Sequence, residues 1–539
     1  MKKRFFGLVM AAVAVISGCQ KDDDDKNKTN ELAGITLTES SVALKPGESS
    51  AALTLNFFPA DADNKNVNWT SSNAQVATVN NGVITAVAVG YATITATSAA
   101  NSYLKATCDV SVAWETKTVS GNVEGVWSKN TTINVTGHVI VPEGRSLTIE
   151  EGCEIIFAQT TPGIEFLVDG NLYCKGTAAH PVLFSVAPAK RIPGNIFEGL
   201  WGGIIFGTTS NEAVIDYAVI EYSGSTITSA SPSLAYGYKI AAGDPQCTIL
   251  GGKIGGKYVI QNSILRYCVD NPFYLWGGDY IIANNLIVAA GYTAGGDAIA
   301  PKSGTKVDAC FNVIFAPNTN GLKLSSSGES ATVPQGIARS YNNTIINAGW
   351  RRNGDKGGSI YVEKGVLASV FNNLMVNCKF MAQVPTWNNP SPSNGADQNS
   401  IVDYNFYCSG SQRSILAQDN PNYMTAFAGY TFPNNNYWHD GRLDTPVIDE
   451  HSVVSASAGD ANTDPKFLNY GFNTVPLHQY EYIESWDFRV AADSPVLTGA
   501  QSNFSGAWTG FFVTNGLMIG GVEYKSPAPA ARFGAKGTN

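Results

Sequence analysis

The sequence predicts an all-β protein, a small β-sandwich followed by a long right-handed parallel β-helix with a C-terminal cap, and three observations carry that expectation. Only 15% of the 539 residues are charged, while glycines number 54 and aromatics reach 11%, a balance that suits turn-rich strands better than amphipathic helices. Residues 35–113 alternate short apolar runs with turn signals. Beyond Val119 an asparagine precedes one apolar run after another, the mark of a stacked repeat. The divisions expected are a signal peptide over 1–18, an acidic linker over 19–31, the sandwich over 32–114, the helix over 115–480 and the cap region over 481–539.

At the N-terminus, Lys2, Lys3 and Arg4 precede an apolar stretch from Phe5 to Ile16 that is too short to span a bilayer. It ends at Ser17-Gly18-Cys19, and Val15 to Cys19 resembles a bacterial lipobox. That resemblance implies cleavage before Cys19 and a diacylglycerol on its thiol, hence a membrane anchor. The following Gln20-Lys21-Asp22-Asp23-Asp24-Asp25-Lys26 is similar to the signal that sends Bacteroidetes lipoproteins to the outer face of the outer membrane. The same charges also serve as a solvated spacer.

In the next segment, turn signals at Lys45-Pro46-Gly47 and Asn80-Asn81-Gly82 separate about seven short strands, a sandwich pattern. Val67-Asn68-Trp69-Thr70-Ser71-Ser72-Asn73, Val76-Ala77-Thr78-Val79 and Gly90-Tyr91-Ala92-Thr93-Ile94-Thr95-Ala96 resemble the bacterial immunoglobulin-like group 2 family. The resemblance implies a spacer or adhesion module, with Trp69 as its core aromatic.

The repeat carries Asn262, Asn285, Asn312, Asn343, Asn373 and Asn405, separated by 23, 27, 31, 30 and 32 residues, about one coil of a parallel β-helix each. An asparagine at such a corner tolerates left-handed backbone, and its amide can bond to the coils above and below, so a stacked ladder is expected. Earlier segments, including Leu147-Thr148-Ile149-Glu150-Glu151-Gly152, Trp201-Gly202-Gly203-Ile204-Ile205 and Ile220-Glu221-Tyr222-Ser223-Gly224, resemble a family of β-helical Bacteroidetes surface lipoproteins. That resemblance implies a fold and no particular chemistry. Phe488-Arg489-Val490-Ala491 and Trp508-Thr509-Gly510-Phe511-Phe512 are expected to close the last coil.

Nine cysteines include no CxxC pair and no Cys/His cluster at zinc spacing, so the eight besides Cys19 are read as small buried residues. A net charge of −9, with no basic stripe, excludes nucleic acid as a natural partner.

For ligands, Trp350, Arg351, Arg352 and Lys356 offer a stacking ring beside cations that read carboxylates, with Lys302 and Lys306 one to two coils earlier. Trp276, Trp387 and Trp438 add stacking aromatics. Each group also reads as loop decoration. Asp270 and Asp297 are candidate calcium ligands or loop-bonding carboxylates, and no other cofactor is expected. His439-Asp440 lacks a matching nucleophile, so no catalytic residue is assigned. The expected function is a surface lipoprotein, lipid-anchored in the outer membrane, that binds a polysaccharide or another extracellular ligand through loops on the helix. A polysaccharide lyase or hydrolase and a structural adhesin for protein are the alternatives.

Overall fold

The computed structural model describes residues 30–292, 295–352, 357–384, 395–412 and 450–538. Cys19, Lys356, Trp387, Trp438, His439 and Asp440 lie outside the described residues. The chain divides into two compact units, one ending at Trp114 and the other beginning at Glu115.

The first unit is the expected sandwich. One sheet orders Ser41–Leu44, Lys105–Val112, Gly90–Ser98 and Val67–Ser71, and another orders Ser49–Ala52, Val83–Ala86 and Ala77–Asn80. Alternating residues Ile84, Ile94, Cys108 and Val110 form its core, with Trp69 half-buried against them. Asn81 and Gly82 both take positive φ, 48° and 82°, as a tight hairpin turn requires.

The second unit is a parallel β-helix with three strands per coil. One coil runs Lys257–Gln261, Ile264–Arg266 and Phe273–Leu275, and the next repeats it as Gly278–Ala283, Leu286–Val288 and Ile299–Pro301. Strands stack in register into three ladders, which form the first, second and third faces in that chain order. Inward-pointing residues stack on themselves: Ile155, Phe184, Ile220, Leu265, Ile287, Ile314, Ile345, Met375 and Tyr407 form one column of the second face. All are fully buried, so each contributes the roughly 2–5 kcal/mol that truncating a core side chain to alanine removes.

The asparagine ladder is present and buried. Asn285 donates its backbone and side-chain N–H to Asn312 Oδ1, both at 3.0 Å. Asn312 does the same to Asn343, Asn343 to Asn373, and Asn373 to Asn405. Two details differ from expectation. The first rung is Ser263, whose amide donates to Asn285 Oδ1, rather than Asn262. The left-handed residue is the one before each rung, namely Asn262 before Ser263, and Asn284, Phe311, Asn342, Asn372 and Tyr404 before the ladder asparagines. The turn and the ladder are therefore separate jobs held by adjacent residues.

The C-terminal cap does not stop at the last coil. Residues 467–497 and Phe533 cover the outward side of the second face over Val288, Phe315, Ile346, Val376 and Cys408. Phe512, Leu517 and Ile519 cover the outward side of the first face over Val259, Ile281, Cys310, Tyr341 and Phe371. Asp308 fastens this cover by accepting the Phe511 and Phe512 amides and the Ser526 hydroxyl at 2.9, 3.0 and 2.6 Å. All eight described cysteines are free and buried, as expected of small core residues.

Candidate functional site on the third face

Because the C-terminal residues cover two faces of the later coils, the third face is the place to look for exposed chemistry. Its strands Asn320–Ser325 and Gly358–Glu363 pair Lys323 with Tyr361 and Ser325 with Glu363. Strand alternation sends Leu322, Leu324, Ile360 and Val362 into the core and leaves Lys323, Tyr361 and Glu363 outside. Lys323 Nζ lies 3.6 Å from Glu363 Oε1 and 5.7 Å from the centre of the Tyr361 ring. The Ser325 hydroxyl donates to the same Glu363 oxygen at 3.2 Å.

Beside this pair, Asp297 Oδ1 accepts the backbone and side-chain N–H of Asn320 at 3.2 and 2.8 Å. Asn320 Oδ1 is buried and has no hydrogen-bond partner among the described residues. Asp297, Asn320, Lys323, Tyr361 and Glu363, with Arg352 and Gln383, line a cavity of about 280 Å³. Two coils earlier along the face, Tyr274 and Trp276 meet edge to face at 5.4 Å. Lys302 Nζ stands 5.3 Å from the Tyr274 ring centre. Burial, reinforced by the like charge of Lys323, lowers the Lys302 amine to about 8. Burial also raises the Tyr361 phenol. The N-terminal end of the face is covered by residues 228–246, which Glu165 holds down by accepting from the Ser233 amide, the Ser233 hydroxyl and the Gln246 amide.

Residues 31–110 match the bacterial Ig-like domain, group 2. Residues 117–242, the first coils and the loop over the third face, match the pectate-lyase-like beta helix domain. A stretch of 96 residues is 38% identical to a 3-O-alpha-D-galactosyl-alpha-L-arabinofuranosidase of Bifidobacterium longum subsp. longum, over 16% of this chain and 8% of that protein. The chain thus spans less than a tenth of that relative's length. The pectate-lyase-like match ends before Lys302 and before the strands that carry Lys323 and Tyr361.

Of the residues expected from sequence, Arg352 lines the cavity and Lys302 and Asp297 stand on the same face. Trp276 is there too, half-buried, with a buried indole N–H that has no partner among the described residues. Three expectations are corrected. Trp350 is 1% exposed and spends its indole N–H on Asn377 O at 2.5 Å, so no sugar can stack on it. Arg351 is a structural clamp whose guanidinium donates to Gly291 O and Ala316 O, both at 2.8 Å, between the Phe197 and Tyr480 rings. Burial lowers it to about 10, and both terminal nitrogens of its fork are spent on backbone carbonyls, while its Nε is buried away from any ligand. Lys306 belongs to the first face, packed over Phe511 and Phe512 at 5.0 and 5.1 Å.

Asp270 accepts the Gly296 amide at 3.1 Å, and burial pushes its carboxyl up to about 6. It is bonded as a loop carboxylate, and among the described residues no three Asp, Glu, His or Cys side chains gather to hold a metal. Sequence reading missed Lys323, Tyr361, Glu363 and Gln383. A signal was available in Leu322-Lys323-Leu324-Ser325 and Ile360-Tyr361-Val362-Glu363, where polar residues alternate with core aliphatics at the strand period.

Proposed function

We propose that the third face binds an acidic glycan, with Lys323 and Arg352 reading its carboxylates and Tyr361, Tyr274 and Trp276 offering faces to its sugar rings. The observation that carries this reading is the cavity of about 280 Å³ in which Lys323, Tyr361, Glu363, Asp297 and Arg352 converge on an otherwise apolar strand ladder. Carboxylates and amides that bond to hydroxyls, cations for acidic groups and aromatic faces for C–H surfaces are together the complement of a charged sugar. Similarity to a pectate-lyase-like helix and, over a short stretch, to a galactosyl-arabinofuranosidase also supports a carbohydrate ligand.

Native electrophoresis of the soluble protein through gels containing polygalacturonate or neutral galactan tests the reading. Retardation by the acidic polymer, reduced at least about tenfold in affinity by Lys323→Gln, is expected, since one lost charge-assisted contact is worth roughly 1.5–3 kcal/mol. Equal mobility in both gels sinks the proposal.

One observation favours a second, catalytic reading. An amine lowered to about 8 is close to the range in which a base removes a proton beside a uronate carboxylate, and Lys302 is such an amine. Lyase action would appear as polymer loss with unsaturated ends, abolished in Lys302→Met. Retardation without polymer loss leaves the binding reading alone.

The address proposed is the outer face of the outer membrane, through lipid on Cys19. Metabolic labelling with radioactive palmitate, absent in Cys19→Ala, is the expected result.

A further inference from the structure

Between the C-terminal cover and the second face runs a groove of about 350 Å³, open at the corner where the chain turns through Asn284. Leu286, Val313, Tyr482, Trp486 and Phe488 give it an apolar and aromatic wall, in which the Tyr482 and Trp486 rings meet edge to face at 5.5 Å. A pocket of that size suits a short saccharide rather than a long stretch of chain.

The polar groups on its rim are unspent. Asn284 belongs to the row of left-handed turn residues, and the other asparagine amides of that row are occupied. Asn342 donates to Ala530 O and Arg532 O at 3.2 and 2.7 Å and accepts the Ala530 amide at 2.9 Å. Asn372 donates to Gln501 O and Ala530 O, both at 2.9 Å, and accepts the Gln501 amide at 2.8 Å. Asn262 donates to Asp216 at 2.8 Å. The Asn284 side chain is exposed and has no hydrogen-bond partner among the described residues. Asn342 and Asn372 show that an amide at this corner takes a donor and an acceptor side by side, which neighbouring sugar hydroxyls also supply.

Across the groove, Lys536 is exposed and its amine has neither an ion pair nor a hydrogen bond among the described residues. Asp487 is the one carboxylate among the described residues that lines the groove, and Arg489 already holds it, with Nε 3.0 Å from each oxygen and Nη2 2.6 Å from Oδ2. Arg532 adds a further like charge near Lys536. The backbone on either side of Lys536 is fastened, the Ala535 amide to the Thr344 hydroxyl at 2.8 Å and Gly537 O to the Val490 amide at 3.0 Å. A positioned, accessible cation therefore stands opposite a free amide, with aromatic rings between them.

We propose that this groove is a second ligand site, separate from the third face, that takes a uronate, with its carboxylate on Lys536, its hydroxyls on Asn284 and the C–H face of its ring on the aromatic wall. The inference stands on the groove alone and does not require the reading of the third face.

Limited acetylation of the whole soluble protein, read at Lys536 by mass spectrometry over a concentration series of digalacturonate, neutral galactobiose and acetate, tests it. Digalacturonate is expected to slow labelling of Lys536, and galactobiose and acetate to be at least about tenfold less effective, the first lacking the charge and the second the ring. Asn284→Gly, which keeps the left-handed turn, is expected to raise the half-protecting concentration of digalacturonate by about threefold or more. Leu286→Trp, which fills the groove, is expected to remove the protection and serves if Asn284→Gly does not fold. Lys323→Gln leaves protection at Lys536 in place, so the two sites fail independently. Labelling that digalacturonate does not slow, equal protection by acetate or galactobiose, or protection unchanged in both Asn284→Gly and Leu286→Trp overturns the proposal.

Discussion

Lys302 is 5% exposed above an aromatic ring, and the cost of charging it there carries a consequence for stability. Its amine falls from 10.5 to about 8 on folding, so between those values the unfolded chain holds a proton that the folded chain has released. Stability from this group therefore rises as pH climbs from about 8 to 10.5, and below 8 the folded state carries the full penalty. A gap of that size corresponds to roughly 3 kcal/mol. Replacing Lys302 by methionine should raise the unfolding midpoint at neutral pH and flatten its increase between pH 8 and 10, followed by circular dichroism in denaturant. A variant as pH-sensitive as the parent would show that the amine is well solvated. Lys302 also illustrates what a lone residue conceals: the sequence singled it out, but its depressed basicity comes from burial first and from Lys323 second, and neither was visible in the sequence. Trp350 and Arg351 show the converse. Their chemistry suited a ligand, and only packing reveals that Asn377 has taken the Trp350 indole N–H and that Gly291 and Ala316 hold the terminal nitrogens of Arg351.

At the scale of one corner, Asn284 and Asn285 are neighbours of the same type with opposite tolerances. Asn285 is 1% exposed and joins Ser263 to Asn312, so its loss takes the acceptor from the buried Ser263 amide and the side-chain donor from Ile260 O and Asn312 Oδ1. Asn284 has φ of 58°, a conformation glycine adopts freely. Asn285→Ala is expected to cost about 2–3 kcal/mol, whereas Asn284→Gly should stay within about 0.5 kcal/mol and Asn284→Val should destabilise. Denaturant unfolding of the three variants measures this, and equal losses at the two positions would contradict the division of labour. The spacing of the asparagines made the coils legible because each coil must return to the same corner. Which of two adjacent residues turns the chain was not legible, since both positions favour asparagine. The same limit explains the third face: alternation marks Lys323 and Tyr361 as outward, but their alignment across coils depends on loop lengths that vary from turn to turn.

Across the whole helix, what is exposed is decided by the last part of the chain. The Tyr341 hydroxyl bonds Pro527 O, 186 residues away, and the Gly520 amide bonds Glu212, 308 residues away. No local pattern encodes contacts of that range, so sequence reading placed the C-terminal residues at the end of the helix and not along its sides. Their removal separates covering from binding. A chain ending at Gly499 keeps every residue that lines the third-face cavity but uncovers Phe311, Tyr341 and Phe371 on the first face. Such an exposed aromatic row is an adhesive surface. The shortened protein is expected to bind a hydrophobic dye, to unfold at lower temperature and to associate in solution, while acidic polymer still retards whatever fraction remains monomeric. Lost retardation in a folded monomer would mean that the cover shapes the third face through the coils. Unchanged dye binding and melting would mean that the aromatic row tolerates water and that the cover is not needed to keep the helix intact.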